Sequence, residues 1–211
     1  MKKSFSKNYP VFLLVLFTLV WAILAISPVD RANWFVENIP VFAFAPLFLW
    51  LHSRLKFSNF SCTMLALFLT LHTIGAHYTY SQTPFFSSFN GIKFDRDYYD
   101  KLVHFSFGLL LYLPIRELLS KVTNLRGIVL YAFSWMTIIA FAGVYEIFEW
   151  LTAILVSPKT ALSFLGMQGD MFDTQKDIAM AFQGGLIALF INLMKNLKYS
   201  RAKPTSHANS N

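Results

Sequence analysis

The sequence predicts an all-α protein, a polytopic membrane helix bundle of six transmembrane helices with both termini in the cytoplasm. Three observations carry that reading. Of 211 residues, 55% are hydrophobic and 14% are charged, against about 25% charged in a soluble domain. Six apolar stretches reach or approach the roughly 20 residues that carry a helix across a hydrocarbon core. Basic residues cluster in alternate connections between those stretches, as they do in membrane proteins.

The spans follow in order. The first runs from Pro10 to Ile26. Lys2 and Lys3 before an apolar run also suit a cleaved signal peptide, but the run is long for one and the residues before Pro28 make a poor cleavage site. The second span, Trp34 to Leu51, contains Pro40 and Pro46, which predict kinks. The third is Phe60 to Tyr78, the fourth Tyr99 to about Leu119, the fifth Gly127 to about Val156, and the sixth about Asp173 to Met194. Together they make one domain, residues 1–199, followed by a polar tail, 200–211, of disordered composition. Trp21, Trp34, Trp50 and Trp150 fall near span ends and read as interface anchors. His52 and His207 fall in connections and read as solvated. The loop from Ser81 to Tyr98 reads as interfacial, with a lid over the outer ends of the helices as the alternative.

Charge orients the bundle. With the amino terminus inside, twelve basic side chains and one carboxylate (Glu117) are cytoplasmic, while six basic and ten acidic side chains are external. Formal charge is then +11 inside and −4 outside, which satisfies the positive-inside rule. The same distribution assigns the basic excess to a lipid bilayer and excludes a nucleic-acid face. One cysteine, Cys62, excludes an intrachain disulfide and a thiolate metal site; it reads as a small buried side chain.

The ionisable residues within the spans share one depth. Glu37, His72 and His77, Asp97, Asp100 and His104, Glu146 and Glu149, and Asp170, Asp173 and Asp177 all fall toward the outer ends of spans two to six. Charged and imidazole side chains are costly in a bilayer, so their convergence is informative. Residues three or four apart share a helix face. Asp97, Asp100, His104 and Gly108 make one stripe; Gly143, Glu146 and Glu149 or Trp150 a second; Asp173, Asp177, Ala181 and Gly184 a third. Each continues into small residues, which predict close helix contact. Thr73, His77 and Tyr80 make a further face on the third span, and His72 lies about 140° from His77 around the helix. A helix dipole favours acids at the starts of the fourth and sixth spans. It disfavours Glu146 and Glu149, which need a cation, a metal or a proton to offset them.

The runs Asp97-Tyr-Tyr-Asp-Lys-Leu-Val-His104-Phe, Tyr145-Glu-Ile-Phe-Glu149-Trp and Gly166-Met-Gln-Gly-Asp170-Met-Phe-Asp173-Thr-Gln-Lys-Asp177 resemble the YjdF family of bacterial inner membrane proteins. The resemblance covers all six spans and implies location and topology, since that family has no assigned chemistry. Asp100-Lys-Leu-Val-His104-Phe is also distantly similar to the helix opening of VanZ-like membrane proteins.

Three classes of function fit these residues. A divalent metal held by some of His77, Asp100, His104, Glu146, Glu149, Asp173 and Asp177 would activate water against a lipid-linked or envelope substrate. Without metal, Glu146 and Glu149, with His104, would act as an acid and base pair. A carrier would use the cluster as the outer half of a pathway. A scaffold or accessory subunit would use it to pair helices. No His-Glu-x-x-His, Gly-x-Ser-Gly or Pro-Ser-Gly-His run occurs in the chain.

Overall fold

The computed structural model describes residues 2–84, 98–156 and 171–202, and its regular structure there is entirely helical. The elements are α1 (Lys2–Leu24), α2 (Arg31–Leu55), α3 (Asn59–His77), α4 (Tyr98–Val122), α5 (Gly127–Leu155) and α6 (Asp173–Ala202). Helices α2 to α6 are long and apolar enough to cross a membrane, and the apolar part of α1, Asn8–Leu24, is shorter. At 1.5 Å per residue that part covers about 25 Å, slightly less than the roughly 30 Å of a hydrocarbon core.

Helix ends are fixed by local chemistry. The Asp30 carboxylate accepts from the Asn33 amide at 3.0 Å and starts α2. Lys56, at φ 53°, closes it by donating its N–H to the His52 carbonyl. Pro40 and Pro46 sit inside α2, which runs through both as one helix. Beyond α3, Thr79 and Tyr80 both take φ of 54°, a left-handed turn that costs a non-glycine residue of order 1–3 kcal/mol. The turn folds the Tyr80 ring back onto Gly75, where an added β-carbon would lie 2.7 Å from the ring.

The bundle is built around α4, which packs on α3, α5 and, most extensively, α6. Small residues allow that last contact. A β-carbon on Gly108 would sit 2.0 Å from the Ala181 carbonyl oxygen, and one on Gly184 would sit 2.0 Å from the Phe105 carbonyl oxygen. The stripes on the fourth and sixth spans therefore meet as the sequence predicts. The stripe on α5 meets them only at its acidic end, where Glu146 reaches His104 at 3.7 Å. Gly143 has open space around its β position, and α5 reaches α6 through Gly185 instead, which packs on Trp135 and Ile138. Below the polar stripes the packing is apolar: Ile138, Ala142 and Ala181 form one buried cluster, and Tyr112, Tyr131, Ala188 and Leu189 the next.

A polar staple holds the opposite end. Glu117 of α4 accepts from the Ser58 amide and hydroxyl, both at 2.8 Å, from the Ser61 hydroxyl at 2.5 Å, and from Lys121 at 2.6 Å. Lys121 also caps the end of α2 through the carbonyls of Leu55 and Lys56. Two side chains depart from the sequence reading here and at the α1–α2 corner. His52 is half-buried, stacked on Phe57, with its Nδ1 3.7 Å from the Cys62 sulfur, because the α2–α3 turn folds Phe57 beneath it. Trp34 is buried rather than interfacial, its ring 5.5 Å from that of Trp21.

Candidate metal centre

The polar site is assembled at the end of the bundle opposite that staple. Helix α4 enters with Asp100 in its first turn and His104 one turn later, and α6 enters with Asp173 and then Asp177. The Gly108–Gly184 crossing brings these two helix openings together, so their i,i+4 polar pairs face one another. Asp100, His104 and Asp177 each offer a ligand atom, and the three atoms lie within 4.8 Å of one another. Asp177 is 2% exposed, and its Oδ1 has no hydrogen-bond partner.

The spacing within the cluster is informative. His104 Nε2 lies 3.6 Å from Asp100 Oδ1 and 3.7 Å from Glu146 Oε1, too far for good hydrogen bonds. Two ligands about 2.0–2.1 Å from one tetrahedral ion are about 3.3 Å apart. These separations are therefore closer to those of ligands around a shared cation than to those of a directly bonded pair. The Glu146 carboxylate has a hydrogen bond with the Thr174 side chain, but its Oε1 is buried without one, a costly arrangement unless a cation or proton supplies a partner. Asp173 pairs with Lys101, whose ammonium lies 3.5 Å from its Oδ1.

A second bank of polar groups adjoins the first. The Tyr145 hydroxyl of α5 donates to Glu37 Oε2 of α2 at 3.2 Å, and its ring meets that of His104 edge-on at 5.9 Å. His72 of α3 lies between Tyr80 and α2. Burial holds the Tyr80 phenol well above its ordinary pKa, so it stays protonated and donates to His72 Nδ1 at 2.5 Å. The other ring nitrogen, Nε2, must then carry the proton that it donates to the Glu37 carbonyl at 2.9 Å. Glu149, half-buried one turn beyond Tyr145, is within electrostatic range of Asp100, Glu146, Glu37 and Asp177.

Of the residues that the sequence nominates, Asp100, His104, Glu146, Glu149, Asp173 and Asp177 converge. His77 does not. Its Nδ1 is 2.7 Å from the Leu24 carbonyl, so it pins the α1–α2 corner. The two histidines of α3 do face different ways, as five-residue spacing requires, but His72 is the one that faces the site. The signal for it lies in Gly75 and Tyr80: only a bare α-carbon lets the tyrosine fold back to reach an imidazole one turn earlier. Asp97 and Asp170 lie outside the described residues.

The fold and site define a multi-pass helical membrane protein with an acidic, histidine-containing cluster at one end of its bundle. Residues 9–196 match the family of predicted membrane proteins DUF2238, and the chain belongs to that family. It is 33% identical over 171 residues to the inner membrane protein YjdF of Escherichia coli (strain K12), covering 80% of this chain and 81% of that one. No solved structure matches.

Proposed function

We propose that this chain is a metal-dependent hydrolase of the bacterial inner membrane, both termini cytoplasmic, acting on an envelope or lipid-linked substrate at the outer leaflet. The observation that carries the reading is the meeting of Asp100, His104 and Asp177 within 4.8 Å, with an unpartnered oxygen on the buried Asp177. One imidazole and two carboxylates suit zinc, manganese or iron and leave a position for water.

A divalent ion held there would lower the pKa of a bound water. Glu146, beside His104 on the same side of the cluster, is placed to take the proton and return it to the leaving group. Glu149 stands behind it as a second carboxylate. The charge balance of the spans supports the external placement of the site. The apolar core beneath, from Ile138 and Ala181 to Tyr112, favours a site open to one side over a pathway through the bundle.

Metal content tests the reading. Protein purified gently in detergent and offered zinc, manganese or iron is expected to hold about one ion per chain. His104→Ala and Asp177→Asn are expected to lose it while retaining the wild-type melting profile. A wild-type chain that takes up none of these ions, or variants that bind as well as wild type, would retire the proposal.

A further inference from the structure

Several polar side chains within the spans satisfy themselves on nearby backbone. Thr18 and Thr137 donate their hydroxyls to the carbonyls of Leu14 and Phe133, one turn back. Asn192 does the same with the Ala188 carbonyl. Gln183 differs. It lies near the middle of the span Asp173–Leu197, on the exposed surface of α6. Among the described residues, nothing hydrogen-bonds its side-chain amide. Ten residues of helix, about 15 Å, separate it from Asp173. At that depth the side chain is too short to reach water. Hydrocarbon neither donates nor accepts, so an amide facing it bears its full desolvation cost.

The rest of this face has a regular spacing. Met180, Gln183, Ile187, Phe190, Met194 and Leu197 follow one another at alternating intervals of three and four residues. All are exposed except Met180, which is half-buried. The core contacts of α6 occupy the opposite face, through Ala181, Gly184, Gly185, Ala188 and Leu189. A mean interval of 3.5 residues is the one that keeps a seam against a partner helix through a left-handed supercoil, and a single polar residue in such a seam fixes its register. The apolar members suit lipid and a partner helix equally. Gln183 suits only a partner.

We propose that this face of α6 is a self-association surface, on which two copies of the chain pair in parallel with their Gln183 amides hydrogen-bonded to each other. A primary amide is self-complementary, because it donates through its nitrogen and accepts through its oxygen. Two copies inserted with the same topology are related by a two-fold axis along the membrane normal. Such an axis sets a residue against its own counterpart at the same depth. A second copy therefore supplies both a donor and an acceptor where Gln183 lacks them. The cluster of Asp100, His104 and Asp177 faces the α4–α6 contact on the other side of the helix, so pairing does not depend on the hydrolase reading.

The test uses the full chain, labelled at its amino terminus with donor or acceptor dye and reconstituted into vesicles of phosphatidylethanolamine and phosphatidylglycerol. Energy transfer is followed as lipid is added. Wild type is expected to associate reversibly, and Gln183→Leu to need about tenfold more protein per lipid to do so. Gln183→Asn, which keeps an amide, is expected to stay close to wild type. A second arm keeps Gln183. Ile187→Cys, next in the seam, is expected to form a disulfide-linked dimer in the membrane. Val144→Cys, 60% exposed on α5, is not, nor is the natural chain, whose Cys62 is buried. A wild type that is monomeric at every ratio overturns the proposal and leaves Gln183 to a different membrane protein. A Gln183→Leu chain that associates as tightly as wild type, or cross-linking through Val144→Cys and not Ile187→Cys, overturns it too. Diluted to monomer, Gln183→Leu is expected to melt with wild type; should it melt lower, the cysteine arm decides alone.

Discussion

Gly108 on α4 and Gly184 on α6 each lie against the other helix's backbone, with room for a hydrogen and not for a methyl group. His104 stands one turn from Gly108, and Asp177 two turns from Gly184, so this crossing sets the distance between the two ligands. Gly108→Ala is expected to force the helices apart. The cost is about 1–3 kcal/mol, as for other overpacked contacts, with loss of metal uptake. Gly143→Ala meets nothing within 4 Å and is expected to be neutral or to stabilise by up to about 1 kcal/mol through helix propensity. Thermal unfolding in detergent compares the two; equal destabilisation would contradict the packing.

The opposite end of the bundle offers a stability test that leaves the site untouched. Glu117→Ala removes the acceptor shared by Ser58, Ser61 and Lys121. Loss of such charge-assisted bonds at a half-buried position is expected to lower stability by about 1–3 kcal/mol. Proteolysis of the turn between α2 and α3 should rise in parallel. Metal uptake at 4 °C is expected to be unchanged.

Orientation is tested by labelling. Cys62 is buried, so the natural chain gives a low background with a membrane-impermeant maleimide. Met171→Cys, at an exposed position just before α6, is expected to label in intact cells. Asn124→Cys, in the exposed turn between α4 and α5, is expected to label only after lysis. The reverse pattern would put the cluster on the cytoplasmic side and remove an external substrate.

Much of the fold and part of the site are legible in the sequence. Apolar length predicts the ends of α2 to α5 within four residues, because solvation by lipid leaves the backbone few alternatives, but α1 starts eight residues before its predicted span and α6 runs eight residues beyond its own, where polar residues carry no apolar signal. The faces of α4 and α6 were legible for the same reason that the site is: polar groups and small residues at i,i+4 spacing must face protein. The rest depended on contacts that periodicity does not encode. Gly143 looked equivalent to Gly108, but which glycine meets a neighbour depends on where α5 crosses α6. Helical spacing singles out His77 over His72 because it does not register the turn at Thr79 and Tyr80, two non-glycine residues at positive φ, for which Gly75 is the one mark in the sequence.

One imidazole and two carboxylates sharing an ion define the proposed centre. X-ray absorption at the zinc edge of the loaded protein measures this directly. The expected spectrum has a single histidine nitrogen and oxygen ligands, all at about 2.0–2.2 Å, and it changes in both His104→Ala and Asp177→Asn. A shell with two or more imidazoles, a sulfur ligand from Cys62, or a spectrum unaltered by either substitution would contradict it.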